Sequence, residues 1–415
     1  MSNPFARALW CAPLLLLVLS PKVQADATPR TTLTGDWNGA RARLEARGLT
    51  IALVATNDLM RNVSGGAECG TAQLDNEDLQ LTLDAEKLVG WRGAQAFVYG
   101  LRNGGRSPSA FAGDLQAVSN IDAPSTTKLF EVWLEQSFGE HLSVRAGLYN
   151  VNSEFDAKDN AKPFLNSSHG IGREWSQAGL NGPSIFPTTS LTARVRYEHA
   201  NGAYALAMIA DGVPGDPSDP YGTHLHLSRD DGAMLATEWG WASAADETGA
   251  RRLRAGAGAW RFTNAFDHLC DVDSTGAPVS IRGNRGVYAF VEGTLWRTGT
   301  RRLAGYARSG IADARVNTVG TLFAGGVVGD GWVPFRPDDR VALGLAMATH
   351  GTDSRLDMVE HGGAPASEIA WELTWQAKLT PWLMLQPDLQ IVRNPGADAS
   401  RRTATVLGLR TVVAY

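Results

Sequence analysis

The chain has 415 residues, a net charge of −5 at neutral pH and 44% hydrophobic residues, with 45 glycines and 13 tryptophans. A chain with this acidic balance has no basic surface for nucleic acid, so a nucleic-acid partner is excluded. Its three cysteines are too few for a disulfide-framed scaffold or a zinc site.

The first residues predict an export signal. Arg7 supplies a positive start, Ala8 to Leu19 form a short apolar run, and Val23-Gln24-Ala25 resembles a cleavage site before Asp26. The apolar run of about a dozen residues is too short to cross a bilayer as a helix. We therefore expect residues 1–25 to be a signal peptide. Two later cysteines, Cys69 and Cys270, remain after its removal, and the sequence leaves their pairing open.

Residues 26–48 predict a lead-in segment with one short helix. Asp36 is a suitable N-cap, and Gly48 follows Arg47 at the position expected after a helix end. The segment either plugs the lumen that the following strands enclose or only connects to the first strand. The sequence does not separate these two interpretations.

From residue 49 onward the dominant hydrophobic period is two. In the stretch 369–378, Ile369, Trp371 and Leu373 alternate with polar or small residues, as expected of a strand with unlike faces. About sixteen such segments of about ten residues follow one another, as in a transmembrane β-barrel. The segments are residues 49–58, 77–86, 93–102, 128–137, 142–150, 189–198, 203–210, 233–241, 251–262, 285–295, 301–311, 316–328, 339–349, 368–378, 382–392 and 402–415.

The connections between these segments alternate between short turns and longer stretches rich in Gly, Asp, Asn and Pro. Short turns at one end and long loops at the other are typical of outer-membrane barrels. An even strand count returns both termini to the periplasm, which places residues 26–48 there. Six tryptophans near the short turns are expected to form an aromatic girdle at the membrane interface. They are Trp37, Trp91, Trp296, Trp332, Trp375 and Trp382.

The last segment carries the sharpest signal. Leu407, Leu409, Thr411, Val413 and Tyr415 share one face of the predicted strand. Alternate apolar residues ending on an aromatic residue are what an outer-membrane assembly signal requires; the alternative is an ordinary edge strand that reaches the terminus. We expect an all-β fold, a transmembrane antiparallel barrel of about 16 strands over residues 49–415 with a short N-terminal helix.

At this point the sequence resembles the OprB family of carbohydrate-selective porins along nearly its whole mature length. Each matching stretch is weak alone, and their order over this length makes the match specific. They are Leu33–Gly39, Arg47-Gly48, Asn62–Gly66, Phe164–Ser168, Ser176–Gly179, Gly182–Thr189, Asp211–Pro217, Arg336–Asp339 and Thr380–Gly396. One departure is Tyr415, where many outer-membrane chains end in Phe.

The resemblance implies a sixteen-stranded pore in the bacterial outer membrane, passive uptake of monosaccharides such as glucose, and no cofactor. The partners expected are small sugars, outer-membrane lipid and lipopolysaccharide, with the barrel a monomer or a trimer. The alternative within transport is a general or anion-preferring diffusion porin. A barrel enzyme and a soluble glycan-binding β-protein are the competitors from other classes, and we find no catalytic or metal-binding motif.

Alternation also predicts which side chains line the pore. The strand candidates are Arg102, Glu131, Trp133, Glu135, Arg145, Arg194, Arg196 and Glu198. A sugar site needs planar donors, carboxylate acceptors and an aromatic plate, and Arg194, Glu131 and Trp133 supply one of each. Alternatively, these residues satisfy one another as a charge ladder along the wall.

The longest connection, from Val151 to Thr188, is the candidate for a loop that narrows the pore. Its candidate lining residues are Asp156, Asp159, Asn166 and Trp175, in a stretch that also holds Glu154 and Glu174. The alternative is a loop packed on the outer rim. Pore selectivity depends on diameter, lining donors and acceptors, and fixed charge.

Overall fold

The computed structural model describes residues 30–216, 218–225 and 227–415. The predicted signal peptide, residues 1–25, lies outside the described residues. Sixteen antiparallel strands close into one barrel, in which each strand pairs with its neighbours in sequence and β1 pairs with β16. All sixteen predicted segments are therefore confirmed as strands.

The strands of the barrel are β1 Leu49–Ser64, β2 Gly70–Asp84, β3 Ala94–Gly105, β4 Thr126–Phe138, β5 Leu142–Tyr149, β6 Ser190–Glu198, β7 Ala203–Asp211, β8 Ala233–Ala242, β9 Arg254–Val272, β10 Pro278–Thr298, β11 Arg301–Ala312, β12 Val319–Asp330, β13 Arg340–His350, β14 Ser367–Thr380, β15 Leu383–Arg393 and β16 Ala404–Ala414. The α-helices are α1 Ala40–Ala46, α2 Ala85–Val89, α3 Ser109–Ala112, α4 Arg173–Ser176 and α5 Thr352–Glu360. Among the described residues, no helix is long and apolar enough to cross a membrane.

We call the end that holds the β2–β3 and β4–β5 connections the turn end and the opposite end the loop end. The loop end carries the two long loops 106–125 and 150–189. Its β9–β10 connection is shorter than the sequence predicted, because both strands continue to a tight turn at residues 273–277. Asp273 stabilises that turn by accepting hydrogen bonds from the amides of Thr275 and Ala277, at 2.7 and 3.1 Å.

The lead-in segment is tied to the turn end. Arg41 of α1 donates to the carbonyl oxygens of Ile51 and Tyr415, at 3.3 and 3.0 Å, and no residue of α1 is buried. The expected N-cap at Asp36 is wrong, because the residues that follow it up to Gly39 have left-handed backbone angles and the helix starts only at Ala40. The helix end is as predicted, with Gly48 in the left-handed region at φ 97°.

The outward face of the wall is apolar, as the alternation predicted. On β14, Trp371 and Leu373 are exposed on the outside, whereas Ala370 and Glu372 are buried inside. Near the turn end, Trp91, Trp296 and Trp332 of the expected girdle are exposed. Trp37 is exposed on the lead-in segment, and Trp375 and Trp382 are half-buried. Trp239 and Trp241, which the sequence analysis did not single out, add to the girdle.

Replacing Leu373 by arginine tests the lipid-facing wall. Leu373 lies at the middle of β14 and faces outward. A charge at the bilayer midplane destabilises a barrel by about 2–4 kcal/mol. We expect Leu373→Arg to lower the free energy of unfolding in lipid vesicles by that amount, measured by denaturant titration. Leu373→Ala is the matched control and should lower it less; equal losses would contradict the outward assignment.

Candidate functional site

Two long loops fold into the barrel instead of covering its rim. Phe155, Leu165 and Trp175 of loop 150–189 are fully buried, as are Ala112 and Val118 of loop 106–125. The path of the longer loop, which the sequence left open, is therefore inward. The inward path of loop 106–125 was not predicted.

Glutamates on the barrel wall accept hydrogen bonds from the backbone of these loops. Glu372 on β14 accepts from the amides of Leu165 and Asn166, at 2.5 and 3.0 Å. The other pairs are Glu131 with the amide of Asn150 (3.0 Å), Glu238 with Asp156 (2.8 Å), Glu292 with Asn160 (2.9 Å), and Glu368 with Leu115 (2.8 Å) and Gln116 (3.1 Å). Buried amides need a hydrogen-bond acceptor, and these carboxyl oxygens supply it. These glutamates fix the path of both loops.

A buried ion-pair network fastens the middle of loop 150–189 to β11. Arg308 Nη2 lies 2.8 Å from Asp156 Oδ2 and 2.5 Å from Glu174 Oε1, and Lys158 Nζ lies 2.6 Å from Asp156 Oδ1. None of these four side chains is exposed. Burial opposes ionisation of Asp156, but Arg308 and Lys158 outweigh it and hold the pKa of Asp156 below its usual range.

Glycines make room for this network. A Cβ on Gly172 would come within 2.0 Å of Arg308 Nη1, and a Cβ on Gly310 would come within 2.0 Å of Glu174 Oε1. Any larger residue at either position would displace the guanidinium or the carboxylate. The close approach of loop to wall therefore depends on two glycines far apart in sequence.

A second charge network joins β4, β5 and β6 to the start of the loop. Arg194 Nε lies 2.7 Å from Glu154 Oε2, and Arg194 also bonds Glu135. Arg145 pairs with Glu135 at 2.9 Å and lies 3.7 Å from Glu154. Burial opposes ionisation of Glu154, but Arg145, Arg194 and Arg196 hold the pKa of Glu154 below its usual range. Most of these side chains therefore form the charge ladder that the sequence analysis kept as an alternative.

Neither the predicted aromatic plate, Trp133, nor the predicted loop-lining residue Trp175 has a free face. Trp133 stacks on Phe97 with ring centroids 5.0 Å apart, and Arg145 covers the ring from the other neighbouring strand, at 3.9 Å. Trp175 is fully buried and stacks on Tyr288 at 5.2 Å. Both rings pack the loop against the wall, and neither is open to a ligand.

An open cavity of about 550 Å³ lies between loop 150–189 and the wall of β6–β9. Polar and charged side chains dominate its lining. The charged residues are Glu154, Lys158, Asp159, Lys162, Arg196, Glu198, Arg251 and Arg254; because Lys158 is buried in the ion-pair network, four basic groups face three carboxylates. A neighbouring cavity of about 290 Å³ shares four of them and adds Glu292, Arg302 and Arg340. The two cavities together form a polar space with an excess of basic groups, on the side of loop 150–189 that faces the turn end of the barrel.

Arg196 and Arg254 are arginines of the barrel wall whose side chains also line the cavity. Arg196 Nη1 lies 3.2 Å from Glu154 Oε1 and also bonds Glu198, and its side chain is 31% exposed. Arg254 pairs with Glu292 at 3.2 Å and donates to the carbonyl oxygen of Ala157 at 2.8 Å. Each guanidinium is held by a wall carboxylate while part of it faces the cavity.

The predicted site residues fall into three groups. Arg196, Glu198 and Asp159 line the cavity. A second group packs or pins the loops and is buried or nearly so: Glu131, Trp133, Glu135, Arg145, Arg194, Asp156, Asn166 and Trp175. Arg102 does not face the lumen, since buried Leu101 and Asn103 on either side of it take the inward face. It pairs with Asp75 and Glu77 on the outer wall, at 3.1 and 2.8 Å.

Sequence reasoning missed Tyr204, Lys162, Arg251 and Arg254, which line the cavity. Arg254 shares the inward face of β9 with Trp260 and Phe262, which are buried. Period-two alternation places all three on one face, but alternation alone does not say whether that face points to lipid or to the lumen. The inward direction of this face comes only from its packing on loop 150–189.

Neither a metal nor a disulfide is indicated where the structure describes the chain. Within residues 30–216, 218–225 and 227–415, no group of three His, Cys, Asp or Glu side chains is placed to hold a metal ion. Cys69 and Cys270 are both free thiols. The Cys270 thiol donates to the carbonyl oxygen of Asp353 at 2.8 Å.

Removing Arg308 is expected to release loop 150–189 from a folded barrel. Alanine leaves Asp156 and Glu174 as buried carboxylates without their guanidinium, and breaking such a pair costs about 3–5 kcal/mol. Amide hydrogen exchange within residues 154–176 should therefore accelerate in Arg308→Ala, with strand amides unchanged. Lys162→Ala is the control, because the Lys162–Asp159 pair is exposed. Equal protection in the two variants would show that the network does not hold the loop.

His169 is expected to make the loop sensitive to acid. It stacks on Phe164 at 4.3 Å and bonds the Tyr306 hydroxyl. Burial, with a contribution from Lys158, lowers the pKa of His169 to about 3. Its Nε2 lies 3.6 Å from a Glu372 oxygen, beyond hydrogen-bonding distance.

A released His169 would titrate near its ordinary value of about 6.5. Between about pH 6.5 and 3 the released loop binds a proton that the packed loop does not, so packing weakens as the pH falls. Hydrogen exchange of residues 160–172, corrected for intrinsic rates, should show less protection at pH 5 than at pH 7.5. His169→Gln should remove this difference, and an unchanged pH dependence in that variant would refute the role of His169.

Comparisons with known proteins agree with this geometry. The carbohydrate-selective porin family, OprB, matches residues 69–415. Porin B of Pseudomonas aeruginosa is 25% identical over 419 aligned positions, which cover 91% of this chain and 90% of that protein.

Solved structures show the same fold. The high-pH structure of Pseudomonas putida OprB superposes with a TM-score of 0.83 at 21% identity, covering 94% of this chain and 100% of that chain. Its low-pH structure gives a TM-score of 0.61 at 16% identity with the same coverage. The Salmonella typhi OmpF complex with daunomycin gives 0.54 at 10% identity, covering 89% of this chain and 99% of that chain.

The family match extends over most of the barrel, and the expected sixteen-stranded architecture is confirmed. Family and fold together indicate a channel rather than an enzyme. They also place the protein in the outer membrane, as the alternating strands predicted. The chain belongs to the OprB family of carbohydrate-selective porins, channels for the diffusion of small carbohydrates across the bacterial outer membrane.

Proposed function

We propose that monosaccharides of the glucose type cross the barrel through the cavity beside loop 150–189 and bind there weakly. The observation that carries this proposal is the cavity lining, in which Arg196 and Arg254 stand beside Glu198 and Asp159. A neutral polyol offers both donors and acceptors at every carbon. A lining that alternates guanidinium and carboxylate groups matches that pattern.

Size and surface character support the same substrate class. The cavity volume of about 550 Å³ lies within the range of about 300–1,000 Å³ typical of small-molecule sites. Tyr204 and Phe164 are the aromatic residues in its lining. Phe164 is almost fully buried and only a small part of the Tyr204 ring is exposed, so Tyr204 alone offers apolar surface for the ring face of a sugar, the role that the sequence analysis gave to Trp133.

The pairing of the charged groups accounts for weak binding. Arg196 already bonds Glu154 and Glu198, so a sugar hydroxyl exchanges one hydrogen bond for another. The net free energy gained from such an exchange is small. A channel requires weak binding, because a tightly held sugar would block the flow.

The remaining predicted residues take a supporting role in this proposal. Glu131, Glu135, Arg145 and Arg194 hold the loop that bounds the cavity. Asp156 and Asn166 fix its middle. The proposed sugar contacts are therefore Arg196, Glu198 and Asp159 among the predicted residues, with Arg254 and Tyr204 added by the structure.

Substitution of Arg196 tests the proposed sugar contact. Arg196→Gln removes a charged donor whose hydrogen bonds are typically worth about 1.5–3 kcal/mol. We expect glucose to reduce the ion current through single channels less effectively, with roughly tenfold more sugar needed for half block. The anion preference of the current should also fall, since one positive charge leaves the cavity.

Arg297→Gln is the matched control. Arg297 is an exposed arginine at the turn end that pairs with Asp246 outside the cavity lining. Its loss should leave both the glucose block and the ion preference unchanged. Wild-type glucose block in Arg196→Gln would remove Arg196 from the sugar path.

A general or anion-preferring porin would use the same positively biased cavity, but membership of a carbohydrate-selective family favours sugar. For the outer wall we propose outer-membrane lipid and lipopolysaccharide as surroundings. The barrel is then a monomer or a trimer, which mass measurement of the detergent-solubilised protein distinguishes.

A further inference from the structure

Two arginines face each other on the outer wall of the barrel. Arg261 on β9 and Arg285 on β10 are direct cross-strand partners, and both side chains are exposed. They point outward because their neighbours Trp260, Phe262 and Asn284 are buried inside. Directly opposed residues have Cβ atoms about 5 Å apart, and like charges in that position are destabilising.

Neither arginine of this pair is bound by a carboxylate of the described residues. Across residues 30–216, 218–225 and 227–415, neither Arg261 nor Arg285 forms an ion pair or a side-chain hydrogen bond. Asp313, at the end of the next strand, is bound by Arg315 at 2.7 Å, and the charge of Arg285 acts on it more weakly than Arg315 does. Arg282, opposite Ala265 on the same outward face, adds a third exposed guanidinium, against one exposed carboxylate at Asp267.

The pair lies where the apolar outer wall ends on the side of the loop end, which we call its upper boundary. On β10 the outward residues below Arg285 are Val287, Ala289 and Val291, and Leu295 is exposed near the turn end. Ten residue steps lead from Arg285 to Leu295. At about 3.4 Å per residue and a strand tilt of about 40°, they rise about 26 Å, the height of the apolar band of an outer-membrane barrel.

We propose that Arg261 and Arg285 bind a phosphate group of lipopolysaccharide in the outer leaflet. Guanidinium groups bind phosphate oxygens with two parallel hydrogen bonds each, and an anion between two cations removes their repulsion. In a lipopolysaccharide leaflet, the anions at the top of the apolar band are the phosphates of its lipid A part. Ala259, Val287 and Ile311 form the apolar row directly below the pair and give an acyl chain a surface to pack on.

The apolar row below the pair selects a lipid over free phosphate. The proposal rests on the outer-membrane location of the barrel and not on the choice of sugar. Its failure would leave glucose block of the ion current untouched, so the two proposals fail separately.

The test compares lipopolysaccharide retained by porin purified from outer membranes in detergent, quantified by mass spectrometry. We expect the double variant Arg261→Gln, Arg285→Gln to retain about tenfold less than wild type, as for the loss of two charge-assisted contacts. Arg102→Gln is the matched control, because Arg102 also faces outward near the loop end but is neutralised by Asp75 and Glu77. Equal retention by the double variant, or equal loss in the control, would overturn the proposal.

A second measurement identifies the chemical group. Purified lipid A with both phosphates should raise the thermal unfolding temperature of wild type in detergent, and lipid A stripped of phosphate should not. The double variant should respond to neither, while Arg261→Lys, Arg285→Lys should keep part of the response because the charges remain. An equal response of wild type to dephosphorylated lipid A, or to phosphatidylglycerol, would overturn the assignment to lipopolysaccharide phosphate.

Discussion

The structure depends on carboxylates of the barrel wall that bind the backbone amides of the inward loops. A loop inside a barrel has no neighbouring strand to satisfy its amides, so each buried amide needs another acceptor. Glu238 on β8, Glu292 on β10, and Glu368 and Glu372 on β14 provide these acceptors at fixed heights on the wall. Because the strands are rigid, the loops take one path. The open part of the lumen is the space that the loops do not fill.

This constraint divides the charged residues between support and transport. Arg308 and Arg194 form ion pairs with the loop and have almost no exposed surface. Arg196 and Arg254 are held by carboxylates yet remain partly exposed at the cavity. The same pairing keeps their guanidinium planes in place and weakens any single contact with a passing sugar, which is the compromise that a selective channel requires.

Strand β9 shows how one stretch serves both surfaces of the barrel. Its inward residues Trp260 and Phe262 are buried with Trp175 and support the loop, with Trp260 stacked on the Trp175 ring at 6.2 Å. Arg261 lies between them in sequence and faces outward. The next outward residues along the strand, before and after Arg261, are small. Large aromatic residues inside and alanine outside reverse the usual pattern of an outer-membrane wall, because loop 150–189 and not water packs against the inner face of β9 at this height.

The sequence by itself determined the barrel: period-two alternation gave sixteen strands, and Gly48 marked the helix end. These are local properties, set by backbone geometry and by the contrast between neighbouring side chains. Only the tertiary structure decided which face of β9 points inward, that Arg102 faces outside, and which charges stay open to the cavity. The first reason is that alternation shows that a strand has two unlike faces but not which of them points into the barrel. The second is that contacts such as that of Arg308 with Asp156, 152 residues apart in sequence, form only once the sheet has closed.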